Sequence, residues 1–241
     1  MSAVPPGEPH PETSSRAVAL IGKPVGHSLS PRMQNAAFAA RGLDWVYIAC
    51  EVELEELEAA VRGLEALGFA GANVTAPYKR DVARIADAAA ESVNTLLFEP
   101  LRAVSTDAAI LEGFEFERPA ILGDGGAAAA FRAALPGARV FSRRGDWPPA
   151  VAEADLVVNA TAATDESLVS LAPGQTLVDL PYPRSATAEA GREAGATVLG
   201  GLEVLVAQGA ASFELWTGMP APLDVMRRAV GLPDAPPSHS G

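Results

Sequence analysis

The chain has 241 residues and a formal net charge of −12, from 30 Asp and Glu against 18 Lys and Arg, and hydrophobic residues make up 49% of it. That charge repels a phosphate backbone, and no basic face interleaved with aromatics offsets it, which excludes nucleic acid as a partner. No apolar run reaches the roughly 18 residues that span a bilayer, which excludes a membrane protein.

The opening MSAVPPGEPHPETSSR lacks the basic start and apolar centre of a signal peptide, so the expected compartment is the cytoplasm. The lone Cys50 lies in the alternating stretch WVYIACEV. It has no partner for an internal disulfide and reads as a buried small apolar residue. Of three histidines, His10 and His239 fall in Pro/Ser-rich ends, leaving His27, read as a packed structural residue. A histidine metal site or catalytic triad lacks material, so no metal is expected. The general acid or base is sought among Lys, Asp, Glu and Tyr.

In chain order, AVALIG, WVYIACEV and GANVT read as strands, with PRMQNAAFAARG and LEELEAAVRGLEALG as helices between them. This βαβαβ order belongs to a parallel sheet covered by helices. NTLLFEPLRAV, from Asn94 to Val104, predicts two short strands turning at Pro100, a hairpin at the sheet edge. A second α/β series runs through PAILG, ARVFSR, ADLVVNAT, QTLVDL and ATVLGG, so the expected fold class is α/β with two lobes. Between Arg144 and Asp155 there is room for about one turn of helix, where a complete dinucleotide half-domain carries a helix and another strand. The second lobe is therefore an abbreviated Rossmann-like unit. LEVLVAQGAASFELWTG is apolar at spacings of three and four and predicts a helix, APLDVMRRAVG predicts another, and both are expected to pack back on the first lobe. The resulting division is a first lobe of 16–107 with 201–232, a second lobe of 108–200, and disordered tails at 1–15 and 233–241.

Four segments carry chemistry. ILGDGGAAAAF follows an apolar strand and opens an Ala-rich helix, the setting of a dinucleotide-binding turn. There Gly123, Gly125 and Gly126 let backbone amides approach a pyrophosphate, although a ligand-free turn has the same look. Asp124 in this turn adds repulsion if it points inward. The next strand ends in Ser142, Arg143 and Arg144, which suit a 2′-phosphate where a NAD-selective chain commonly has an acidic residue. In GHSLSPRMQNAAF, Ser30 before Pro31 reads as a helix N-cap, and Ser28 with Ser30 also makes a hydroxyl-rich site for a carboxylate. NVTAPYK puts Asn73, Thr75 and Lys79 at the carboxyl edge of the first sheet, where open α/β folds place ligands.

Taken in order from about Ala17 to Gly231, these segments resemble the shikimate dehydrogenase family. GKPVGHSLSP matches G-x-P-x-x-H-S-x-S-P, and NVTAPYK matches N-V-T-x-P-x-K. Val93-Asn94-Thr95, the Thr106-Asp107 pair, the Gly-rich turn, Asn159 to Thr161 and the GGL…Q…FELWTG ending follow in family order. The chain departs from the pattern at Ser105, Ala108, Asp124 and Ser142-Arg143-Arg144, mostly on the cofactor side.

The resemblance implies an NADP-dependent oxidoreductase interconverting shikimate and 3-dehydroshikimate in aromatic amino acid biosynthesis, a monomer or homodimer with Lys79 and Asp107 as the catalytic pair. It implies that Ser28, Ser30 and Tyr182 hold the substrate carboxylate, with Asn73, Thr75, Asn94 and Gln208 on its hydroxyls. Gly123, Gly125, Gly126, Ala127, Ser142, Arg143, Arg144 and Thr161 then bind NADP. An ordinary lysine amine is protonated at neutral pH and is a poor base. Two roles therefore fit Lys79, a desolvated base or a stabiliser of the developing alkoxide that relays its proton. Two other readings keep the same site: a quinate or aminoshikimate dehydrogenase, and a shikimate-binding paralogue with weak or lost cofactor binding.

Overall fold

The computed structural model describes residues 15–234, so most of both expected tails, with His10 and His239, lies outside the described residues. The described residues of those tails bond to folded chain: the Ser15 hydroxyl donates to Asp44, Arg227 Nε donates to the Pro233 carbonyl, and Arg228 pairs with Asp234.

The apolar run at Arg16–Gly22 forms β1, buried along its last five residues, as a central parallel strand must be. It is followed by α1 (Ser30–Ala40), β2 (Trp45–Glu51), α2 (Leu57–Ala66), β3 (Gly71–Val74), α3 (Lys79–Ile85), β4 (Thr95–Phe98) and β5 (Leu101–Val104). The sheet order is β2-β1-β3-β4-β5. The first three strands are parallel, while β4 and β5 form the antiparallel hairpin expected at the edge. Because β2 closes the other edge, Cys50 on it is only half-buried, which corrects the expectation of a buried residue.

The second sheet holds β6 (Pro119–Leu122), β7 (Arg139–Phe141), β8 (Leu156–Asn159), β9 (Thr176–Asp179) and β10 (Thr197–Leu199). All are parallel, in the order β10-β9-β8-β6-β7. Its helices are α4 (Gly126–Ala134) and α5 (Ala186–Glu193). Residues 142–155, where one helical turn was expected, contain no helix, and neither do 160–175. Trp147, Val151, Leu168, Val169 and Leu171 from these irregular segments cover the sheet face that helices would otherwise cover. The lobe is shortened but its core is still filled.

The last two helices, α6 (Gly201–Thr217) and α7 (Leu223–Val230), return to the first lobe as the spacing predicts. Leu205, Val206, Ala210, Phe213, Trp216, Met226 and Val230 join the first-lobe core around Met33, Phe38 and Tyr47. Val204, one turn from the start of α6, instead enters the core of the second lobe with Ile121, Phe131 and Val158. One helix thus belongs to both cores, and residues on its inner face lie where the lobes meet. Among the described residues no helix is long and apolar enough to cross a membrane.

Candidate active site

β3 ends in Asn73-Val74, and the chain turns through TAPY so that Lys79 is the first residue of α3. Asp107 follows β5 in a short turn, 28 residues further along. Lys79 Nζ lies 2.7 Å from Asp107 Oδ1 and 2.6 Å from Oδ2, with side-chain exposures of 14% and 8%. An ion pair this sheltered persists only if its remaining hydrogen-bonding capacity is met. Asn94, just before β4, does part of this by donating Nδ2 to Asp107 Oδ1 at 3.0 Å and to Gln208 Oε1 of α6 at 3.2 Å. Its own Oδ1 accepts the Thr106 amide at 2.7 Å, which fixes the backbone beside Asp107.

Asn73 is held as tightly. Its Nδ2 donates to the Asn94 carbonyl at 2.9 Å and to Thr95 Oγ1 and Ser212 Oγ at 3.1 Å, and its Oδ1 accepts the Tyr47 hydroxyl at 2.8 Å. β2, β3, β4 and α6 therefore converge on one buried amide. Tyr47 and Ser212 were not singled out from sequence, and Thr106 only as part of the Thr106-Asp107 pair, without a role. The alternation of WVYIACEV does put Tyr47 on one face of its strand, but that face also reads as plain core. Tyr47→Phe leaves the buried Asn73 Oδ1 without this donor. We expect it to lower unfolding stability by about 1–3 kcal/mol in urea titration, the cost of an unsatisfied buried acceptor.

Ser28, Ser30 and Tyr182 line the same cavity as the ion pair. Ser30 is the first helical residue of α1 and does not cap it, contrary to expectation. Pro31 has no N–H to cap, and the Ser30 amide itself donates to Ser28 Oγ at 3.2 Å, so the serine two residues earlier does that work. Burial pushes the Tyr47 and Tyr182 hydroxyls up from the ordinary tyrosine value, opposed by bonds with Ser30 and Ser28 respectively. Both tyrosines stay protonated at neutral pH, and the Ser28, Ser30 and Tyr182 hydroxyls, which line the cavity, form a neutral, donor-rich group suited to a carboxylate. His27 is exposed beside this group, not packed as expected, because its turn runs over the surface.

Asn73, Thr75, Lys79, Asn94, Asp107 and Gln208 line the same cavity of about 560 Å³ as the two serines and Tyr182. The start of α4, with Gly125, Gly126 and Ala127, and Thr161 also line it. A Cβ on Gly126 would come within 3.0 Å of Lys79 Cβ and 2.9 Å of Ser92 Oγ, so glycine there lets the helix start close against the lysine. Arg80 also lines this cavity.

A second cleft of about 440 Å³ continues from the first, sharing Gly125 and Thr161 and adding Gly123, Ser142, Arg143 and Arg144. Gly123 has φ +117, a backbone setting that favours glycine, and a Cβ there would crowd the Ala160 carbonyl at 3.0 Å. Asp124 Oδ2 lies 3.6 Å from Arg144 Nη1. The structure thus gathers the expected substrate residues in one cavity and six of the expected cofactor residues along its continuation, while Gly126 and Ala127 line the first cavity.

A family model described as the shikimate dehydrogenase substrate binding domain matches residues 20–96, and one described as the shikimate 5'-dehydrogenase C-terminal domain matches residues 201–230. The shikimate dehydrogenase (NADP(+)) of Moorella thermoacetica is 39% identical over 276 residues, covering 91% of this chain and 94% of that protein. The chain belongs to the shikimate dehydrogenase family. Its fold agrees with solved members: a shikimate dehydrogenase from Aquifex aeolicus superposes with a TM-score of 0.78 at 30% identity, covering 90% of this chain and 98% of the other. A shikimate 5-dehydrogenase from Thermus thermophilus, solved in complex with NADP(H) and shikimate, superposes at 0.76 with 29% identity, covering 89% and 98%. The 276 aligned positions with the Moorella dehydrogenase exceed this chain's 241 residues. The chain therefore lacks internal positions that this relative has, in keeping with the helix-free connections of the second lobe.

Proposed function

We propose that this shikimate dehydrogenase family member oxidises shikimate to 3-dehydroshikimate with NADP, and runs the reverse reaction. On this reading residues 16–107 and 201–232 hold the acid and 108–200 hold the dinucleotide. The observation that carries the proposal is the sheltered Lys79–Asp107 pair in a hydroxyl-lined cavity that a glycine-turn cleft continues. The cleft residues fit a dinucleotide: Gly123 and Gly125 keep side chains out of the turn, α4 presents its first amides, and guanidinium groups stand at the end of β7. When bound, NADP accepts the hydride that leaves the hydroxyl-bearing ring carbon.

The protein's own residues supply position and proton transfer. The Ser28, Ser30 and Tyr182 hydroxyls bind the carboxylate and set the ring's orientation. Asn73, Thr75, Asn94 and Gln208 hydrogen-bond the ring hydroxyls. Lys79 spends donors on both Asp107 oxygens and, having three, keeps one for the reacting hydroxyl. As the hydride departs, the hydroxyl oxygen gives its proton to Lys79 while Lys79 passes one of its own to the Asp107 carboxylate, and the oxygen becomes the ketone oxygen; Asp107 then releases that proton, so the products are 3-dehydroshikimate, NADPH and one proton.

The direct test is NADPH formation by purified protein given shikimate, with NAD and quinate as paired controls. Turnover of shikimate with NADP supports the reading. Turnover only with quinate changes the substrate, and shikimate binding without detectable dinucleotide binding leaves a binding protein. Ser28→Ala should raise the Michaelis constant for shikimate by about tenfold, the loss of one charge-assisted hydrogen bond, with kcat little changed. Unchanged steady-state constants would remove Ser28 from the carboxylate site.

A further inference from the structure

Resting on the reading of the second cleft as a dinucleotide site, one feature of its outer end points further. The two guanidinium groups that meet a 2′-phosphate there are already paired. Arg143 Nη2 bonds to a carboxylate oxygen of Glu166, and Arg144 Nη1 lies 3.6 Å from Asp124 Oδ2. Trp147 sits against Arg143, 5.6 Å from guanidinium carbon to ring centroid, and lines the same cleft. The two carboxylates come from separate loops. Asp124 belongs to the β6–α4 turn, and Glu166 to the helix-free segment between β8 and β9.

We propose that Glu166 is a specificity-determining residue, which competes with the 2′-phosphate of the dinucleotide for Arg143 and so narrows the preference for NADP over NAD. A phosphate monoester brings about −1.5 to −2 charges at neutral pH. It meets a like charge well inside the Debye length of about 8–10 Å as long as Glu166 stays on the guanidinium. A 2′-hydroxyl is neutral, needs no guanidinium and is not repelled, so NAD is indifferent to the same carboxylate. Arg143 has five N–H donors and Glu166 engages part of that fork, which makes the effect several-fold and not absolute. Asp124 acts on Arg144 in the same sense, at longer range.

Calorimetric titration of NADP and NAD into the full chain, Glu166→Gln, Arg143→Ala and the double variant tests this without any turnover. Glu166→Gln should tighten NADP about fivefold, the upper range for an exposed ion pair, and leave NAD within about twofold. In the Arg143→Ala background the gain should vanish, because the two residues act through one contact. Three results would overturn the proposal: no tightening of NADP, equal tightening of NADP and NAD, or an undiminished gain without Arg143. If folded protein binds neither dinucleotide, this inference and the NADP-dependent reading fall together. Binding of both with an unmoved ratio removes the inference alone.

Discussion

Lys79→Ala should lower kcat for shikimate oxidation by at least about 100-fold, the low end for losing a positioned acid–base group, equivalent to about 2.7 kcal/mol of barrier. Shikimate affinity should change much less, since on the proposed reading the carboxylate is held by Ser28, Ser30 and Tyr182, other residues of the same cavity. The variant also leaves Asp107, 8% exposed, without its cation, although Asn94 continues to donate to it. Circular dichroism of the variant therefore accompanies the kinetics, and Asp107→Asn provides a second entry to the same pair. A large rise in the Michaelis constant with turnover intact would make Lys79 a binding residue and would reject the proton-transfer role.

Gly71→Ala should be the more damaging of two single-methyl additions, losing about 3 kcal/mol of stability, the upper end for overpacking a core. A Cβ there would lie 2.2 Å from the Leu96 carbonyl oxygen and 2.3 Å from Trp216 Nε1. Those two atoms are hydrogen-bonded to each other at 2.9 Å, the link between α6 and the edge hairpin. One obstacle is backbone, so relief requires β4 or α6 to move, and α6 carries Gln208 and Ser212 of the site. Gly63→Ala is the control. It lies within α2, where a Cβ meets nothing within 4 Å, so it should raise stability by about 0.4–1 kcal/mol. Urea titrations of both variants measure the contrast, and a neutral Gly71→Ala would show that the close approach of α6 yields easily.

The sequence by itself determined the two-lobed α/β layout, because strand and helix periods are local properties written into AVALIG, WVYIACEV and LEVLVAQGAASFELWTG. It also determined the shortened second lobe, since chain length between strand runs is a count. The ordered motifs around Ser28, Asn73, Lys79 and Asp107 identified the family resemblance for the same reason. The tertiary structure decided what touches what. A period assigns Tyr47 to a face but names no neighbour, and only the packing of α6 across β4 brings it, Asn73 and Ser212 into one network. Helix capping moved from Ser30 to Ser28 because one residue of register at the start of α1 changes which amide needs an acceptor. Likewise Asp124 faces Arg144, and Glu166, 23 residues beyond Arg143 in a segment without periodicity, reaches its guanidinium. Charges carry no directional signal along a sequence, so their pairing exists only once the loops that hold them are folded side by side.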